Sequence, residues 1–482
     1  MPFKDLREYI ASLEAENELV HVKQEVDWDL EAGAIIRRCT ETGSALPLFE
    51  KIKDYPEGYR VFGDPINSLK RFAIAAGIPS DLPPAETYRR LMALYQKGMS
   101  NRIKPRVVST GPCKENVFKG DDVDLYRLPS LMLHDGDGGR YIGTAHMVVG
   151  KDPDSDWVNW GTYRLMLHDR NHLGGYLAPG RDMTHMLRKY EAQGKPMEFA
   201  VAIGTEPVSL AVAMAPVPFQ VSEVDVAGGI REEPVELVRC ETVDLMVPAT
   251  SEIVLEGVIL PNARVDEGPF GEFTGYAGYR TPNPVYKVNC ITHRHNPILT
   301  AICEGIPVGT GHLVACVARA SILMDDLKRA GLPVLDVNVV LETGGFLTVV
   351  STRTPYANVA HRIASVVWGS RAAQSSSHKL MVVNDDIDPY NLAEVVHAFA
   401  TKCHPVRGHF AVPNAVGNPL MPYQNVEERR HAKGSLILYD CTWPTDWPVE
   451  TAVPPKMSFN CAFPKHIQER VLANWRKYGF KD

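Results

Sequence analysis

Between Tyr141 and Ile302 the chain is cut by turn residues into short β-branched or apolar runs, among them HMVVG, EFAVAIG, EPVELVRCETVDLMV, EIVLEGVIL and VYKVNCITH. Runs of that length and composition form strands. Many short strands separated by Gly and Pro leave sheet edges that need covering, and a closed or split barrel covers them. The flanks follow another rhythm. Phe3, Leu6, Ile10 and Leu13 recur at helical spacing before Val20 and Val22 alternate with His21 and Lys23, and helices are expected over residues 30–41 and 85–97. Past Ile302, helices are expected over 311–330, 358–368 and 391–401, and strands over 334–341, 346–350 and 380–383. The chain therefore reads as α+β in three parts: an α/β unit at residues 1–115, a strand-rich unit at 116–305 and a second α/β unit at 306–482. Residues 442–463 are rich in Pro and Trp. They precede an amphipathic segment whose Ile467, Val471 and Trp475 share a face that packs on its own chain or on another subunit.

Composition removes several classes of function. Lys plus Arg number 51 against 58 Asp plus Glu, a formal charge of -7 with no basic stripe, so nucleic acid is not an expected partner. The nine cysteines are scattered and never spaced CxxC, which points to reduced thiols in the cytoplasm and away from structural zinc. The start MPFKDLREYI is charged where a secretory leader needs an apolar core. The most apolar window, residues 199–218, contains Glu206, Pro207, Pro216 and Pro218, so no membrane span is expected. The glycine-rich nucleotide loops, the zinc-protease HExxH and the hydrolase GxSxG are missing.

Two segments carry candidate chemistry. Glu267-Gly268-Pro269-Phe270-Gly271-Glu272 sets two carboxylates around residues that impose a tight turn. Two carboxylates projected into one dry cleft repel each other and keep a proton at neutral pH, as a general acid must. The same composition also suits a solvated loop. Trp157 to Arg164 gathers an amide (Asn159), an indole (Trp160), a hydroxyl (Thr162) and a guanidinium (Arg164). Arg164 there either holds a carboxylate through two parallel hydrogen bonds or faces water from a strand. His168 and His172 lie four apart but lack a third metal ligand. Glu223 and the segment Ala213 to Ala215 offer the oxygens that hard cations recruit, as do many loops. Gly136, Gly138 and Gly139 read as a flexible turn rather than a phosphate cradle.

Taken in order, NWGTYR, VSE, CETVDLMVPATSEIVLEG, EGPFGEFTGY and VVNDDID resemble the UbiD family, which includes the ferulic acid and aryl carboxylate decarboxylases, over nearly the whole chain. The resemblance implies an N-terminal α/β domain, a central split β-barrel holding the cofactor, and a C-terminal α/β domain that dimerises, in homodimers or homohexamers. It implies prenylated FMN, supplied by a flavin prenyltransferase, with its phosphate clamped by Mn2+ or Mg2+ and a nearby K+. By residue, it implies Arg164, Glu267 and Glu272 as a Glu-Arg-Glu network with Glu272 the proton donor. Asn159, Thr162, Tyr163, Arg164, Arg181 and Glu223 would contact the cofactor, and Asn159, Asp182 and Glu223 would bind the divalent ion. Trp160, Ala213, Met214 and Ala215 would offer backbone carbonyls to potassium. Where the family's aryl decarboxylases carry a Gln-His pair with the His on the metal, this chain reads Arg181-Asp182, which leaves Asp182 or His185 for that place. The reaction implied is reversible loss of CO2 from an aromatic, heteroaromatic or α,β-unsaturated acid, with pocket walls from residues 306–312 and 442–447. An ordinary FMN-dependent oxidoreductase and a non-catalytic cofactor-binding subunit are the alternatives.

Overall fold

The computed structural model describes residues 3–373 and 376–481. Asp5 accepts from the Glu8 backbone N–H at 2.9 Å and caps the first helix, Leu6–Ala15, which buries Leu6, Tyr9, Ile10 and Leu13. Leu19–Val22, Leu46–Phe49 and Arg60–Gly63 form a sheet beside it. The fourth strand of that sheet, Ile298–Ala301, comes from the end of the central region and pairs parallel with Arg60–Gly63. This pairing fixes where the chain enters the segment from Cys303 to Thr310.

The central region is one nine-stranded antiparallel sheet. Its path runs Tyr141–Gly143, Leu165–Leu167, His172–Gly175, Thr281–His293, Ile253–Glu267, Met197–Ile203, His146–Lys151 and Val158–Gly161, with Asn116–Lys119 also bonded to Thr281–His293. Among the described residues the two end strands are not bonded to each other, so the barrel is split rather than closed. The strand Ile253–Glu267 runs past the expected end at Leu260. Its register against Thr281–His293 shifts between Ile259 and Arg264, which absorbs Pro261 and the left-handed Asn262 before pairing resumes. The expected run EPVELVRCETVDLMV lies outside this sheet. It divides into Glu236–Arg239 and Met246–Pro248, which form a separate three-stranded sheet with Arg106–Val108.

A five-stranded sheet ends the fold, in the order Val334–Val339, Leu347–Thr352, Lys379–Asn384, Lys433–Cys441, His409–Val416. The helix Thr310–Arg329 packs against it and is buried along most of its length. The helix Pro84–Ser100 ties the regions together. Its Tyr88 hydroxyl donates to the Val339 carbonyl at 3.0 Å, its Tyr95 hydroxyl donates to the Ala211 carbonyl at 3.1 Å, and its Met92 carbonyl accepts from Ser321 at 2.9 Å. Helices expected at 30–41, 85–97, 311–330, 358–368 and 391–401 occur as Glu31–Thr42, Pro84–Ser100, Thr310–Arg329, Val359–Gly369 and Leu392–Lys402. The amphipathic segment forms the helix Lys465–Ala473, and its own chain buries none of its residues. All nine cysteines are free, and no helix among the described residues is long and apolar enough to cross a membrane.

Candidate active site

Arg164 lies at the start of the strand Leu165–Leu167, and Glu267 closes the long strand Ile253–Glu267 across the sheet. The Arg164 Nε and Nη2 donate to the two Glu267 oxygens at 2.8 and 3.0 Å, and Nη1 pairs with Glu272. All three side chains are nearly removed from water. Burial opposes the charge on Arg164, but Glu267 outweighs it and holds the guanidinium firmly protonated. The guanidinium also lies over two aromatic rings, 4.4 Å from the Tyr176 centroid and 5.1 Å from that of Phe270. Glu267 accepts further hydrogen bonds from the Tyr141 hydroxyl at 2.8 Å and from Asn283 at 3.4 Å. Burial, then the Glu267 charge, pushes the Tyr141 phenol far up, so it stays a neutral donor.

The turn carrying Glu272 is held from below by the HDGDGG segment. Gly138 donates to the Pro269 carbonyl at 2.7 Å, and Asp137 accepts from the Gly271 N–H at 2.8 Å. A Cβ on Gly138 would sit 2.0 Å from the Gly268 carbonyl oxygen, so only glycine permits the approach. His134 packs under Gly271, 3.3 Å from Asp137 and 3.2 Å from the Cys303 thiol. Of the glycines expected in a turn here, Gly138 packs its backbone closely under Gly268, whereas a Cβ on Gly136 would meet open space.

A second polar cluster lies at the end of the sheet path. Glu223 is buried and accepts from Asn159 Nδ2 at 3.1 Å and from the Trp160 backbone N–H at 2.8 Å. Burial raises its carboxyl to about 8, and the nearby Asp182 charge adds to the rise. Asp182 is buried as well. One of its oxygens pairs with Arg371, and Oδ1 is buried with no partner among the described residues. The Tyr163 hydroxyl reaches the Asn159 carbonyl oxygen at 3.4 Å, while the Thr162 hydroxyl turns to the His146 carbonyl at 2.8 Å. An orphaned carboxylate oxygen, a buried carboxyl and an amide oxygen held only by the long Tyr163 contact form an oxygen set that fits a hard divalent cation. Ala213 and Met214 end the helix Pro207–Met214, whose last carbonyls lack intrahelical partners, and Ala215 follows. No group of three or more His, Cys, Asp or Glu among the described residues is placed to hold a metal, so this cluster depends on its amide.

Other candidates fall elsewhere. The His185 ring is exposed and lies edge-on to Phe219, so Asp182 is the better placed of the two alternatives. His168 bonds the Asp266 carbonyl and His172 bonds Asp169, so they share no ligand. Residues 306–312 do reach the site, because His312 stacks on Phe273 next to Glu272. Trp443 instead packs over Lys402 and donates its backbone N–H to Asn384. Phe346 and Met421, which join Phe273 in a small apolar cluster, gave no sequence signal.

Three domain descriptions of 3-octaprenyl-4-hydroxybenzoate carboxy-lyase match the chain: the N-terminal domain at residues 10–95, the Rift-related domain at 106–307 and the C-terminal domain at 312–441. The chain belongs to the UbiD family. It is a carboxy-lyase by that membership, and the resemblance drawn from the five ordered segments is borne out. Pyrrole-2-carboxylic acid decarboxylase of Pseudomonas aeruginosa is 36% identical, with 99% of both chains covered. The vanillic acid decarboxylase of Sedimentibacter hydroxybenzoicus in closed form superposes with a TM-score of 0.89 at 31% identity, covering 99% of this chain and 100% of that one. The UbiD-class enzyme HmfF from Pelotomaculum thermopropionicum, solved in complex with FMN, superposes at 0.84 with 30% identity, covering 98% and 100%.

Proposed function

We propose that this UbiD-family protein reversibly removes CO2 from an aromatic, heteroaromatic or α,β-unsaturated carboxylic acid, using prenylated FMN supplied by a flavin prenyltransferase. The observation that carries the reading is the buried Arg164 bridging Glu267 and Glu272. Three charged groups so far from water are costly to keep unless their alignment is used. Solved relatives containing FMN or its prenylated form support the flavin. The bound flavin supplies the electron sink that an aromatic ring lacks when its carboxylate departs.

Arg164 orients the substrate carboxylate from a guanidinium whose plane is fixed by Tyr176, Phe270 and Glu267. Loss of CO2 leaves a carbon that needs one proton. Glu272 delivers that proton and regains one from water after product leaves. Glu267, saturated by Arg164, Tyr141 and Asn283, keeps the arginine in register. Asn159, Glu223 and Asp182 would hold Mn2+ or Mg2+ against the flavin phosphate, with the carbonyls of Trp160, Ala213, Met214 and Ala215 near K+. Thr162, Tyr163 and Arg181 would complete the flavin contacts.

The test is anaerobic co-expression with a flavin prenyltransferase, mass spectrometry of the released cofactor, and a CO2-release screen over aryl acids. Prenylated FMN with CO2 from at least one acid supports the reading. Plain FMN, or no flavin after verified supply, overturns it.

A further inference from the structure

Both ring nitrogens of His134 face acceptors. Nδ1 lies 3.3 Å from Asp137 Oδ2, and Nε2 lies 2.9 Å from the Glu304 carbonyl oxygen. The Cys303 sulfur is 3.2 Å from Nε2 and has the Leu133 carbonyl at 3.8 Å to take its own hydrogen, while burial keeps the thiol protonated. A neutral imidazole carries one N–H and would turn a bare nitrogen toward one of those oxygens, whereas an imidazolium donates to both. Burial opposes the ring's charge, but the Asp137 and Cys303 contacts outweigh it. His134 and Asp137 are therefore an ion pair, with the carboxylate buried and the ring partly so.

This pair touches the residue before Glu272. Asp137 Oδ2 also accepts the His134 backbone N–H at 3.0 Å, so His134 occupies that oxygen and leaves Oδ1 to the Gly271 N–H at 2.8 Å. The ring lies so close beneath Gly271 that a Cβ there would come 2.4 Å from Nδ1. It also meets Phe270 edge-on, with centroids 6.2 Å apart, and Phe270 lies over the Arg164 guanidinium. The Glu304 carbonyl belongs to the segment that leaves the strand Ile298–Ala301, so one ring ties the turn to the frame of the first sheet. A shift of about 1 Å in a group that must meet a reacting carbon costs on the order of 10² in rate, and Glu272 is aimed by the backbone that this pair holds.

We propose that His134, as an imidazolium, is a positioning residue for Glu272: it orients Asp137, whose second oxygen fixes the Gly271 N–H and with it the entry of Glu272 beside Arg164. The proposal rests on the reading of Glu272 as proton donor and extends it to the residues that aim the donor. Flavin-loaded wild type, His134→Gln, Asp137→Asn, Glu272→Gln and the double variant His134→Gln/Glu272→Gln are compared in kcat and KM. CO2 release is followed from benzoate, furan-2-carboxylate and cinnamate, and wild type, His134→Gln and Asp137→Asn are crystallised. Each of the two positioning variants should keep wild-type flavin content and a KM within about threefold, because Arg164 still binds the carboxylate, while kcat falls on the order of tenfold to a hundredfold. In the Glu272→Gln background, His134→Gln should cost less than about threefold more, because the group it aims is gone. The crystals should show the Glu272 carboxyl displaced by about 1 Å relative to Arg164 in both variants. Unchanged kcat in both, a KM that rises as far as kcat falls, an equal loss from His134→Gln in both backgrounds, or an unmoved Glu272 would each overturn the proposal. Loss of flavin would overturn it too and assign the pair to cofactor retention. Should one variant not fold, the other decides. Glu272→Gln at wild-type turnover would sink the donor reading and the proposal together, whereas a large loss in Glu272→Gln with an additive loss from His134→Gln would sink the proposal alone. With CO2 from none of the three acids, the position of Glu272 in the crystals decides the proposal by itself.

Discussion

Glu267 and Glu272 share one guanidinium, and their surroundings separate their roles. Glu267 has both oxygens occupied by Arg164, with Tyr141 and Asn283 adding to them. Glu272 meets Arg164 through one oxygen, and the other has no partner among the described residues. The less saturated carboxyl is the one able to hold and pass a proton. Glu272→Gln should keep its flavin and lose on the order of 10² to 10⁴ in kcat, measured as CO2 release. Turnover within tenfold of wild type would remove Glu272 from the proton-donor role. Glu223→Ala should purify without flavin or divalent metal, and a variant retaining both, by absorbance and elemental analysis, would remove Glu223 from the phosphate clamp. These residues were legible because short motifs of unusual composition carry them. Phe346 and Met421 carry no such motif. They meet the site only because the third region folds onto the turn of the second, a contact between residues far apart in sequence.

Helical periodicity placed the expected helices to within a few residues, because a buried stripe repeats every three or four positions, but Leu69–Ala75, Asp182–Ala192, Pro207–Met214 and Glu223–Arg231 were not expected. Strands were harder where a bulge interrupts them. The reading stopped at Leu260 because Pro261 and Asn262 resemble a turn, whereas the strand resumes and carries Glu267 to Arg164. The HDGDGG segment forms the expected turn, but the close approach of Gly138 to Gly268 was not legible, since a glycine that permits close backbone contact is indistinguishable in sequence from one that loosens a loop. Gly138→Ala tests this element. Its Cβ would overlap backbone at Gly268, so the turn must shift, and activity should fall at least tenfold with a melting-temperature loss of several degrees. Gly139→Ala meets the flexible Met166 side chain at 3.3 Å and the Leu167 carbonyl at an ordinary 3.6 Å, and should stay near wild type. Equal effects of the two substitutions would mean that the Gly138 contact does not set the position of Glu272.

At the scale of the whole molecule, buried histidines set the pH range over which these regions stay together. His146, under the site strands, donates to the Tyr163 carbonyl at 2.9 Å, and burial lowers it to about 4. Burial also lowers His378 in the third region to about 4. Each is neutral when folded and near its ordinary value when unfolded, so the unfolded chain binds more protons in acid. Stability is fully present above about pH 6.5 and falls as pH drops toward 4, by up to about 3 kcal/mol per histidine. His134 has the opposite sign. Burial opposes its charge, but Asp137 and Cys303 outweigh it and raise it to about 10, so its contribution is full below about 6.5 and is lost as pH rises toward 10. Melting temperatures between pH 4 and 10 should therefore peak near neutrality. His146→Gln, able to keep a hydrogen bond to Tyr163, should flatten the acid side, and His134→Gln should flatten the alkaline side. If both variants keep the wild-type profile, other groups govern the loss. If only the alkaline side responds, acid lability does not come from His146, and His378→Gln becomes the substitution that decides whether a buried histidine causes it.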